Sequence, residues 1–370
     1  MKKNPLLVPL SWLYAFGVGL RNKLFDWNVC HSESFDVPVI SVGNITVGGT
    51  GKTPFTEYLV RLLKGEQRVA FLSRGYKRKT HGYVLAQPGC TARTIGDEPF
   101  QVFTKFPDIH VAVDANRRRG IRRLCDDAPT ADTSVVLLDD AFQHRHVTPG
   151  VSILLMDYNR MPYEDALMPA GRLRESFHNR ERAHIVIITK CPTDIRPIDF
   201  RVIYNHLQLR PYQRLFFTSN HYGDLQPLDC TVDCNPRPLD SLNTQTAVLL
   251  VTGIANPQPI LDELKPRTPN VRLLAFPDHH DFRARDFQLI EQAFQSLPDT
   301  DRLIITTEKD AARLANDSRA DGIRPHTYVL PVETVFLRDQ AETFNNYIIS
   351  YVRKNSRNSI VHQRTHAHPS

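Results

Sequence analysis

The feature that most constrains the fold is a glycine-rich turn between a short apolar run and a helix-forming stretch. Residues 37–42 read VPVISV, and GNITVGGTGKT follows at 43–53. Pro54 stands where the first turn of a helix tolerates proline, and apolar residues then recur at helical spacing over 58–63. A strand, a glycine-rich turn and Gly-Lys-Thr at a helix N-terminus form the arrangement that holds nucleotide phosphates. We therefore predict a nucleotide-binding P-loop.

Each part of this turn has a predicted role at the phosphates. Glycines let backbone N–H groups approach the phosphate oxygens, Lys52 reaches the β- and γ-phosphates, and the Thr53 hydroxyl ligates Mg²⁺. The standard pattern has glycine five residues before Gly51, where this chain has Thr46, and we expect the tandem glycines at 48–49 to supply the flexibility instead. The predicted nucleotide-binding residues are Val47, Gly48, Gly49, Thr50, Gly51, Lys52, Thr53 and Pro54.

Further apolar runs predict a sheet of buried parallel strands. They lie at 68–73, 110–113, 134–140, 152–157 and 184–190, and helical or irregular segments separate most of them. Nearly continuous apolar strands are typical of the middle of a parallel sheet that is covered on both faces. The pattern predicts an α/β fold with a doubly wound parallel sheet of the P-loop NTPase type.

A second, smaller α/β domain is predicted beyond a change of character near residues 207–216. Apolar runs at 247–253, 271–276 and 302–307 predict its strands. The polar tail has few core-forming residues, so we expect it to be disordered. The predicted organisation is an N-terminal membrane-associated helix (1–30), a P-loop domain (31–213), a smaller C-terminal domain (214–352) and the tail (353–370).

The N-terminal segment has no charge from Asn4 to Leu20 and is rich in apolar and aromatic residues. It is shorter than the roughly 20 apolar residues of a bilayer span, and Pro9 weakens it further. A signal peptide is one alternative, although no small-residue cleavage site follows, and a helix buried against the domain is another. We favour a helix in the membrane interface, with Trp12 and Tyr14 at headgroup level and the flanking cations facing anionic lipid.

The formal net charge of +6 favours anionic partners: nucleotide, acidic lipid or nucleic acid. The chain has no zinc finger, no aromatic-rich RNA-binding signature and no long Lys/Arg block, so we predict no nucleic-acid partner. We also predict no obligate protein partner. The six cysteines show neither a disulfide-framework spacing nor a paired CxxC set, which favours a reducing cytoplasm and disfavours a structural zinc site.

Two carboxylates close one of the predicted strands. Asp139 and Asp140 end the run VVLLDD, and His144 follows them closely. A P-loop needs an acidic partner at the end of a nearby strand to hold Mg²⁺ directly or through water. Carboxylates that cap a turn are the alternative, but two of them beside a histidine favour metal binding. The predicted metal ligands are Thr53, Asp139 and Asp140.

Seven segments of the chain, taken in order, resemble the tetraacyldisaccharide 4′-kinase (lipid A 4′-kinase) family. The resemblance extends from the N-terminal helix to about residue 350, and threonine at the start of the phosphate loop is a family trait. Ala141-Phe142 departs from the family's usual Gly-Leu, and we expect added bulk there without loss of activity. The segments are SVGNITVGGTGKTP (41–54), LSRGYKR (72–78), GDEP (96–99), LDDAFQH (138–144), PAGRLRE (169–175), FPDHHDF (276–282) and TTEKDAARL (306–314).

The resemblance implies a reaction and a location. The reaction is transfer of the γ-phosphate of ATP, with Mg²⁺, to the 4′-hydroxyl of tetraacyldisaccharide 1-phosphate in lipid A biosynthesis. The location is the cytoplasmic face of the bacterial inner membrane, where the N-terminal helix attaches a peripheral or monotopic protein. The implied partners are therefore the lipid substrate and the membrane surface.

Site residues carry over from the family motif by motif. Asp97 of GDEP matches the catalytic base, and His279 of PDHHDF matches the histidine that pairs with it, with His280 as the competing candidate. By itself the sequence leaves Asp97 an ordinary turn residue, because Gly-Asp-Glu-Pro is also good turn chemistry. Lys52 completes the predicted catalytic set. The predicted substrate residues are Arg117, His144, Arg174 and Glu175; a solvated helix face is the alternative for the other arginines around Arg117.

Two other functions are open to a chain with this turn: a P-loop GTPase, and a membrane-associated nucleotide switch that acts on a protein partner. TKCP at 189–192 resembles the guanine-reading motif of GTPases, but Pro192 replaces its aspartate. A switch would not need GDEP together with DHH. The sequence therefore favours a kinase.

Overall fold

The chain folds into two units, each built around a largely parallel sheet. The larger unit contains residues 1–220 and 334–370, and the smaller contains residues 221–333. The structure is a computed structural model that describes residues 5–229, 235–278, 280, 282–298, 301–315 and 317–366.

Every apolar run that predicts a strand forms one, and a helix follows the glycine-rich turn as expected. The helices are α1 (Val8–Asp26), α2 (Lys52–Leu63), α3 (Ala92–Ile95), α4 (Asp97–Lys105), α5 (Arg117–Asp126), α6 (Pro197–Leu207), α7 (Gln258–Leu264), α8 (Ala284–Gln295), α9 (Glu308–Leu314) and α10 (Ala341–His366). The strands are β1 (Val39–Asn44), β2 (Val69–Ser73), β3 (Val84–Leu85), β4 (His110–Val113), β5 (Val135–Asp139), β6 (Val151–Asp157), β7 (Ile185–Thr189), β8 (Arg214–Tyr222), β9 (Gln226–Pro227), β10 (Thr246–Thr252), β11 (Val271–Ala275), β12 (Asp301–Thr307), β13 (Thr327–Leu330) and β14 (Val332–Phe336).

The sheet of the larger unit has β1 near its centre. Among the described residues its order is β14-β8-β7-β6-β1-β5-β2-β4-β3. The strands from β8 to β4 in this order pair in parallel, and β3 is antiparallel to β4. After β5 the chain crosses to the other side of β1, so the carboxyl ends of β1, β5 and β6 meet at a topological switch point, where ligands bind in such folds. The predicted doubly wound α/β fold is confirmed.

Helices cover both faces of this sheet, which is why its central strands are apolar throughout. On one face α2, α4 and α10 share a core with alternate residues of β1, β5 and β6. On the other face α5 and α6 each pack over their own group of strands. All six residues of β1 are buried, so the turn after it starts from a rigid base.

The larger unit differs in extent from the predicted P-loop domain (31–213). β8 was expected to begin the smaller unit, but it pairs in parallel with β7 over Ile185↔Arg214 to Ile188↔Phe217 and so belongs to the larger sheet. β14 then returns to lie beside β8. Pairing between strands that are distant in sequence decides this division, and the local apolar pattern contains no information about it.

Residues 353–366 are helical where the sequence predicts the start of a disordered tail (353–370), and residues 367–370 lie outside the described residues. α10 extends to His366. Phe344, Ile348 and Val352 recur every four residues and are buried in the core that α10 shares with α2. This apolar stripe anchors the helix, and the intrahelical hydrogen-bond ladder continues from it.

The smaller unit has a sheet of order β11-β10-β12-β13-β9 in the described part of the chain. β10, β11, β12 and β13 pair in parallel, and β9 is antiparallel to β13. Apolar clusters lie on both faces of β10, one of them including residues of α7 and the other residues of α8. This unit is the second, smaller α/β domain that the sequence predicts.

α1 packs on the rest of the larger unit along a narrow side, whose buried residues are Ser11, Asn22 and Phe25. The Ser11 hydroxyl donates to the carbonyl of Leu167 at 3.0 Å, and the Tyr14 hydroxyl donates to the carbonyl of Arg174 at 2.9 Å. Tyr14 is therefore turned toward the protein rather than toward a headgroup layer. The exposed large apolar side chains of the helix are Leu10, Trp12, Leu13, Phe16 and Leu20, and Leu6 is exposed just before it.

No helix within the described residues combines the length and apolar character needed to cross a bilayer. This finding agrees with the expectation that the N-terminal segment is too short for a span.

We predict that Phe344→Ala lowers the free energy of unfolding of the larger unit by about 3–5 kcal/mol, because it leaves a cavity in a fully buried cluster. The Phe344 ring lies 4.7 Å from that of Phe336 and 5.7 Å from that of Phe55. Urea unfolding followed by circular dichroism measures the loss. Asn346→Ala, at an exposed position of the same helix, is the control, and equal midpoints for the two variants would contradict the prediction.

Candidate active site

The glycine-rich turn needs glycine at two positions. Gly48 has φ +108° and Gly51, the N-cap of α2, has φ +78°, a region of backbone conformation that L-residues rarely adopt. Thr46, where the standard pattern has glycine, instead forms an antiparallel bridge with Leu173. The departure from the standard pattern therefore falls at a position that is bound to a neighbouring segment.

The side of the turn nearest β1 is fixed by two hydrogen bonds. The backbone N–H of Val47 donates to the carbonyl of Arg172 at 2.8 Å. The side-chain amide of Asn44, the last residue of β1, donates to the Thr50 hydroxyl at 2.8 Å. The turn is thus tied to the 172–174 segment and to its own strand.

Two consecutive carbonyls of the turn are held from the end of β7. The Thr189 hydroxyl donates to the carbonyl of Thr50 at 2.9 Å, and the Lys190 ammonium donates to the carbonyl of Gly49. Lys190 also pairs with the Asp157 carboxylate at 2.9 Å, at the end of β6. Residues from three parallel strands therefore determine the conformation of one turn.

The predicted acidic pair lies at the end of β5, beside the turn. Asp139 is buried and accepts a hydrogen bond from the Ser73 hydroxyl at 3.1 Å. Asp140, with φ +44°, binds Arg174 through both carboxylate oxygens at 2.9 and 3.1 Å. The Lys52 ammonium lies 3.7 Å from Asp140. The structure thus brings together four of the predicted site residues: Lys52, Asp139, Asp140 and Arg174.

The two carboxyls have opposite pKa shifts. Burial, followed by the charges of Glu98 and Asp140, raises the pKa of Asp139 to about 7. Burial also acts to raise the pKa of Asp140, but the charges of Lys52 and Arg174 outweigh it and hold that pKa below its usual value. Of these two carboxyls, Asp139 is therefore the one whose negative charge is less well compensated by neighbouring groups.

The carboxylate oxygens of Asp139 and Asp140 and the Thr53 hydroxyl at the start of α2 are ligands that a hard divalent cation such as Mg²⁺ prefers. A bound cation would also stabilise the ionised form of Asp139, whose pKa burial raises. No group of three or more His, Cys, Asp or Glu side chains able to hold a metal occurs in the described part of the chain. Mg²⁺ in kinase sites takes one or two carboxylates and completes its shell with phosphate oxygens and water.

Asp97 is the first residue of α4 rather than a member of an isolated turn. Gly96 precedes it with φ +96°, and a side chain there would meet the backbone of Gly75 at 3.2 Å, so glycine is required. The neighbouring Glu98 contributes to the raised pKa of Asp139. The first turn of α4 therefore lies within electrostatic reach of the acidic pair.

The predicted partner of Asp97, His279, lies outside the described residues, and their pairing stays a prediction. The competing candidate His280 is described. Its Nε2 lies 2.9 Å from the Asp286 carboxylate, and its ring stacks on Phe276 at 4.9 Å. His280 thus has contacts of its own within the smaller unit.

Arg117 and His144 lie near the acidic pair. The Arg117 guanidinium is buried and donates to the carbonyl of Asp139 at 3.4 Å, and burial lowers its pKa to about 10. Burial, together with the positive charge of Arg117, lowers the pKa of His144 to about 4. His144 is therefore neutral near pH 7.

Glu175 is not positioned like the other predicted substrate residues. Its carboxylate is buried, pairs with Arg182 and accepts a hydrogen bond from Asn179 at 2.7 Å. These contacts give it a structural function, and its role toward substrate stays a prediction.

Ala141 and Phe142, which stand where the resembled family usually has Gly-Leu, lie in the protein interior. Both residues are buried, and a side chain added at Gly43 of β1 would meet the Phe142 Cβ at 2.7 Å. The Arg182 guanidinium lies 4.5 Å from the centre of the Phe142 ring. The additional bulk therefore packs closely against β1.

The residues that hold the turn were absent from the predicted site. Thr189 and Lys190 belong to TKCP, which the sequence presents only as an incomplete guanine-reading motif. Ser73 lies in LSRGYKR, where it had no predicted role, and Asp157 belongs to no motif. The common signal is position, since each stands at or just after the carboxyl end of a strand. Residues at strand ends can be assigned to one site only when the order of the strands in the sheet is known.

Comparison with known proteins gives a consistent result along the chain. The family model described as LpxK, tetraacyldisaccharide-1-P 4′-kinase, matches residues 3–353. A tetraacyldisaccharide 4′-kinase from Phocaeicola vulgatus is 55% identical over 360 residues, covering 97% of this chain and 98% of the relative. One from Bacteroides thetaiotaomicron is 53% identical over 379 residues, covering 100% and 99%. The crystal structure of the "apo" form of LpxK from Aquifex aeolicus in complex with ATP has a TM-score of 0.70 at 26% identity, covering 94% of this chain and 98% of that one.

We predict that Asp139→Asn changes how stability depends on pH. Because the folded chain keeps a proton on Asp139 that the unfolded chain releases near pH 4, the stability of the parent protein falls as pH rises from about 4 to 7. The variant has no carboxyl at position 139 to titrate. The difference between its free energy of unfolding and that of the parent protein should therefore rise by on the order of 2 kcal/mol between pH 5 and pH 8. Urea unfolding in metal-free, nucleotide-free buffer measures the difference, and parallel pH curves would refute the shift.

Proposed function

The chain belongs to the tetraacyldisaccharide-1-P 4′-kinase family, and we propose that it transfers the γ-phosphate of ATP to the 4′-hydroxyl of tetraacyldisaccharide 1-phosphate. The observation that carries this function is the meeting of three elements at one sheet edge. Lys52 of the glycine-rich turn lies 3.7 Å from Asp140 at the end of β5, and α4 begins with Asp97, next to Glu98, whose charge acts on Asp139. The names of the relatives supply the acceptor, and the solved relative with ATP supplies the donor.

The turn and α2 bind the phosphates. Backbone N–H groups of the turn and the positive end of α2 face the anionic oxygens, and Lys52 neutralises the charge that develops between the β- and γ-phosphates. Thr53, Asp139 and Asp140 would hold Mg²⁺, which would further neutralise those oxygens when bound.

Asp97 acts as the general base. The 4′-oxygen of the acceptor bonds to the γ-phosphorus, its proton passes to the Asp97 carboxylate, and the bond between the γ-phosphorus and the bridging oxygen breaks to release ADP. In phosphoryl transfer of this kind, an aspartate that accepts the hydroxyl proton also orients the nucleophile. Its place at the start of α4 supports the role, because a helix N-terminus stabilises the ionised carboxylate.

Arg174 lies on the acceptor side and connects the site to α1. Its guanidinium is held by Asp140, and its carbonyl accepts the hydrogen bond from Tyr14. Arg117 and His144 add one charged and one neutral polar group beside the acidic pair, and we assign these residues with Glu175 to the acceptor. The membrane helix and the phosphate-transfer site are thus linked through a single segment.

The protein works at the cytoplasmic face of the bacterial inner membrane as a peripheral protein. The exposed apolar side chains of α1, which include Trp12 (71% exposed) and Phe16 (72% exposed), support this location, since an acylated disaccharide is itself a membrane component. A GTPase or nucleotide switch acting on a protein partner is not favoured, because the relatives are named as kinases and Pro192 replaces the guanine-reading aspartate.

We predict that Asp97→Asn binds ATP with unchanged affinity but transfers phosphate about 10²–10⁴-fold more slowly, because only proton removal from the acceptor is lost. The measurement is transfer from γ-labelled ATP to tetraacyldisaccharide 1-phosphate in mixed micelles. ATP hydrolysis by the parent protein without labelled lipid would overturn the proposed acceptor. A fully active variant would overturn the role of Asp97 alone.

We predict that Trp12→Ser with Phe16→Ser weakens binding to vesicles of anionic lipid by about 10²–10⁴-fold, because burial of each aromatic side chain in the membrane interface contributes about 1.5–3 kcal/mol. Co-sedimentation measures the bound fraction. Ile198→Ser with Val202→Ser removes two exposed apolar side chains from α6 and is the matched control. Equal binding by both double variants would argue against α1 as the membrane contact.

A further inference from the structure

A buried carboxylate joins the nucleotide-binding helix to the helix that begins at Asp97. Glu57 of α2 is 0% exposed. Its carboxylate accepts hydrogen bonds from the Gln101 amide at 2.8 Å and from the Lys105 ammonium at 2.6 Å, both on α4. Arg61, on α2 itself, pairs with the same carboxylate at a longer 3.5 Å. A buried charge that loses its partners destabilises the fold by several kcal/mol, so α4 is held where it presents both donors.

The spacing of these residues relates them to the site. Glu57 follows Thr53 by four residues on α2, and Gln101 follows Asp97 by four residues on α4. Residues four apart lie on the same helix face, about 6 Å apart along the axis. The Glu57–Gln101 contact therefore stands one helical turn behind Thr53 on one helix and Asp97 on the other.

Apolar packing between α2 and α4 does not by itself fix the register of one helix against the other. Phe55 of α2, Val102 of α4 and Phe106 just after α4 belong to one apolar core. Such contacts tolerate small shifts of the helices as long as the packed volume is conserved. A slip of α4 by one residue moves each side chain by about 1.5 Å and turns it by about 100°. Both hydrogen bonds to Glu57 would then break, so the carboxylate selects one register.

We propose that Glu57 is a positioning residue for phosphate transfer. It fixes the register of α4 against α2 and thereby fixes where Asp97 stands relative to Lys52 and Thr53. The inference rests on the proposed role of Asp97 as the base.

The test replaces the carboxylate and its two α4 donors by apolar residues, in Glu57→Met with Gln101→Leu and Lys105→Met. Arg61 loses its pair with Glu57 but is 31% exposed and can turn to solvent. Replacing a buried ion pair in this way often preserves or raises stability. We expect a folded protein with KM for ATP within about twofold of the parent value and kcat about 10–100-fold lower, because a misplacement of about 1 Å costs up to 10²-fold.

The matched control is Lys64→Met with Asp108→Asn. This pair, at 3.1 Å, also joins the end of α2 to the chain just after α4, but it is exposed and lies at the far ends of the helices from the site. We expect its kcat to be unchanged. A second comparison places the apolar triple variant in an Asp97→Asn background, where it should cause no further loss of kcat because both changes act through the same carboxylate.

The outcomes separate this inference from the function on which it rests. A stably folded triple variant with the parent kcat overturns the positioning role and leaves Asp97 as base untouched. A further loss of kcat in the Asp97→Asn background shows a general structural effect and also overturns it. Full activity of Asp97→Asn by itself removes both assignments.

Discussion

The hydrogen bonds that neighbouring strands make to the turn after β1 are the constraint on which the rest of the site depends. Thr189 and Lys190 hold the carbonyls of Thr50 and Gly49, and the 172–174 segment holds Val47 from another side. The turn consequently has its shape before any phosphate binds, and preorganised dipoles need no rearrangement during the reaction. This arrangement requires β1 to lie between β5 and β6, with β7 next in the sheet.

The charges at the site are balanced unevenly, and that imbalance suits phosphate transfer. Asp140 is neutralised by Lys52 and Arg174, whereas Asp139 is buried, accepts a hydrogen bond from the Ser73 hydroxyl and keeps a raised pKa despite the charge of Lys52. One carboxylate thus orients cations that belong to the protein, and the other is suited to a cation brought with the nucleotide. The two adjacent aspartates differ because one ends the strand and the other turns away from it with a positive φ.

The sequence predicts most of the fold and part of the site. The strands, the helix after the turn and the acidic pair all carry local signals, namely continuous apolar runs and residues at strand ends, and the structure confirms their places. The division into units is less accessible, because β8 and β14 reveal their partners only through pairing over long sequence distances. For the same reason Glu57 reads in the sequence as an ordinary polar position of an amphipathic helix. Its burial depends on the register of α4, which no local pattern encodes.

The return of the chain to the larger unit has a consequence for biosynthesis. The smaller unit is an insertion between β8 and β14, and the core around Phe55 is completed only by Phe336 and by α10. Domains generally fold as units during translation, so residues 221–333 can fold while the larger unit still lacks its last helix. The nucleotide-binding unit, although most of its strands precede residue 221, becomes complete only after the smaller unit and α10 have been synthesised.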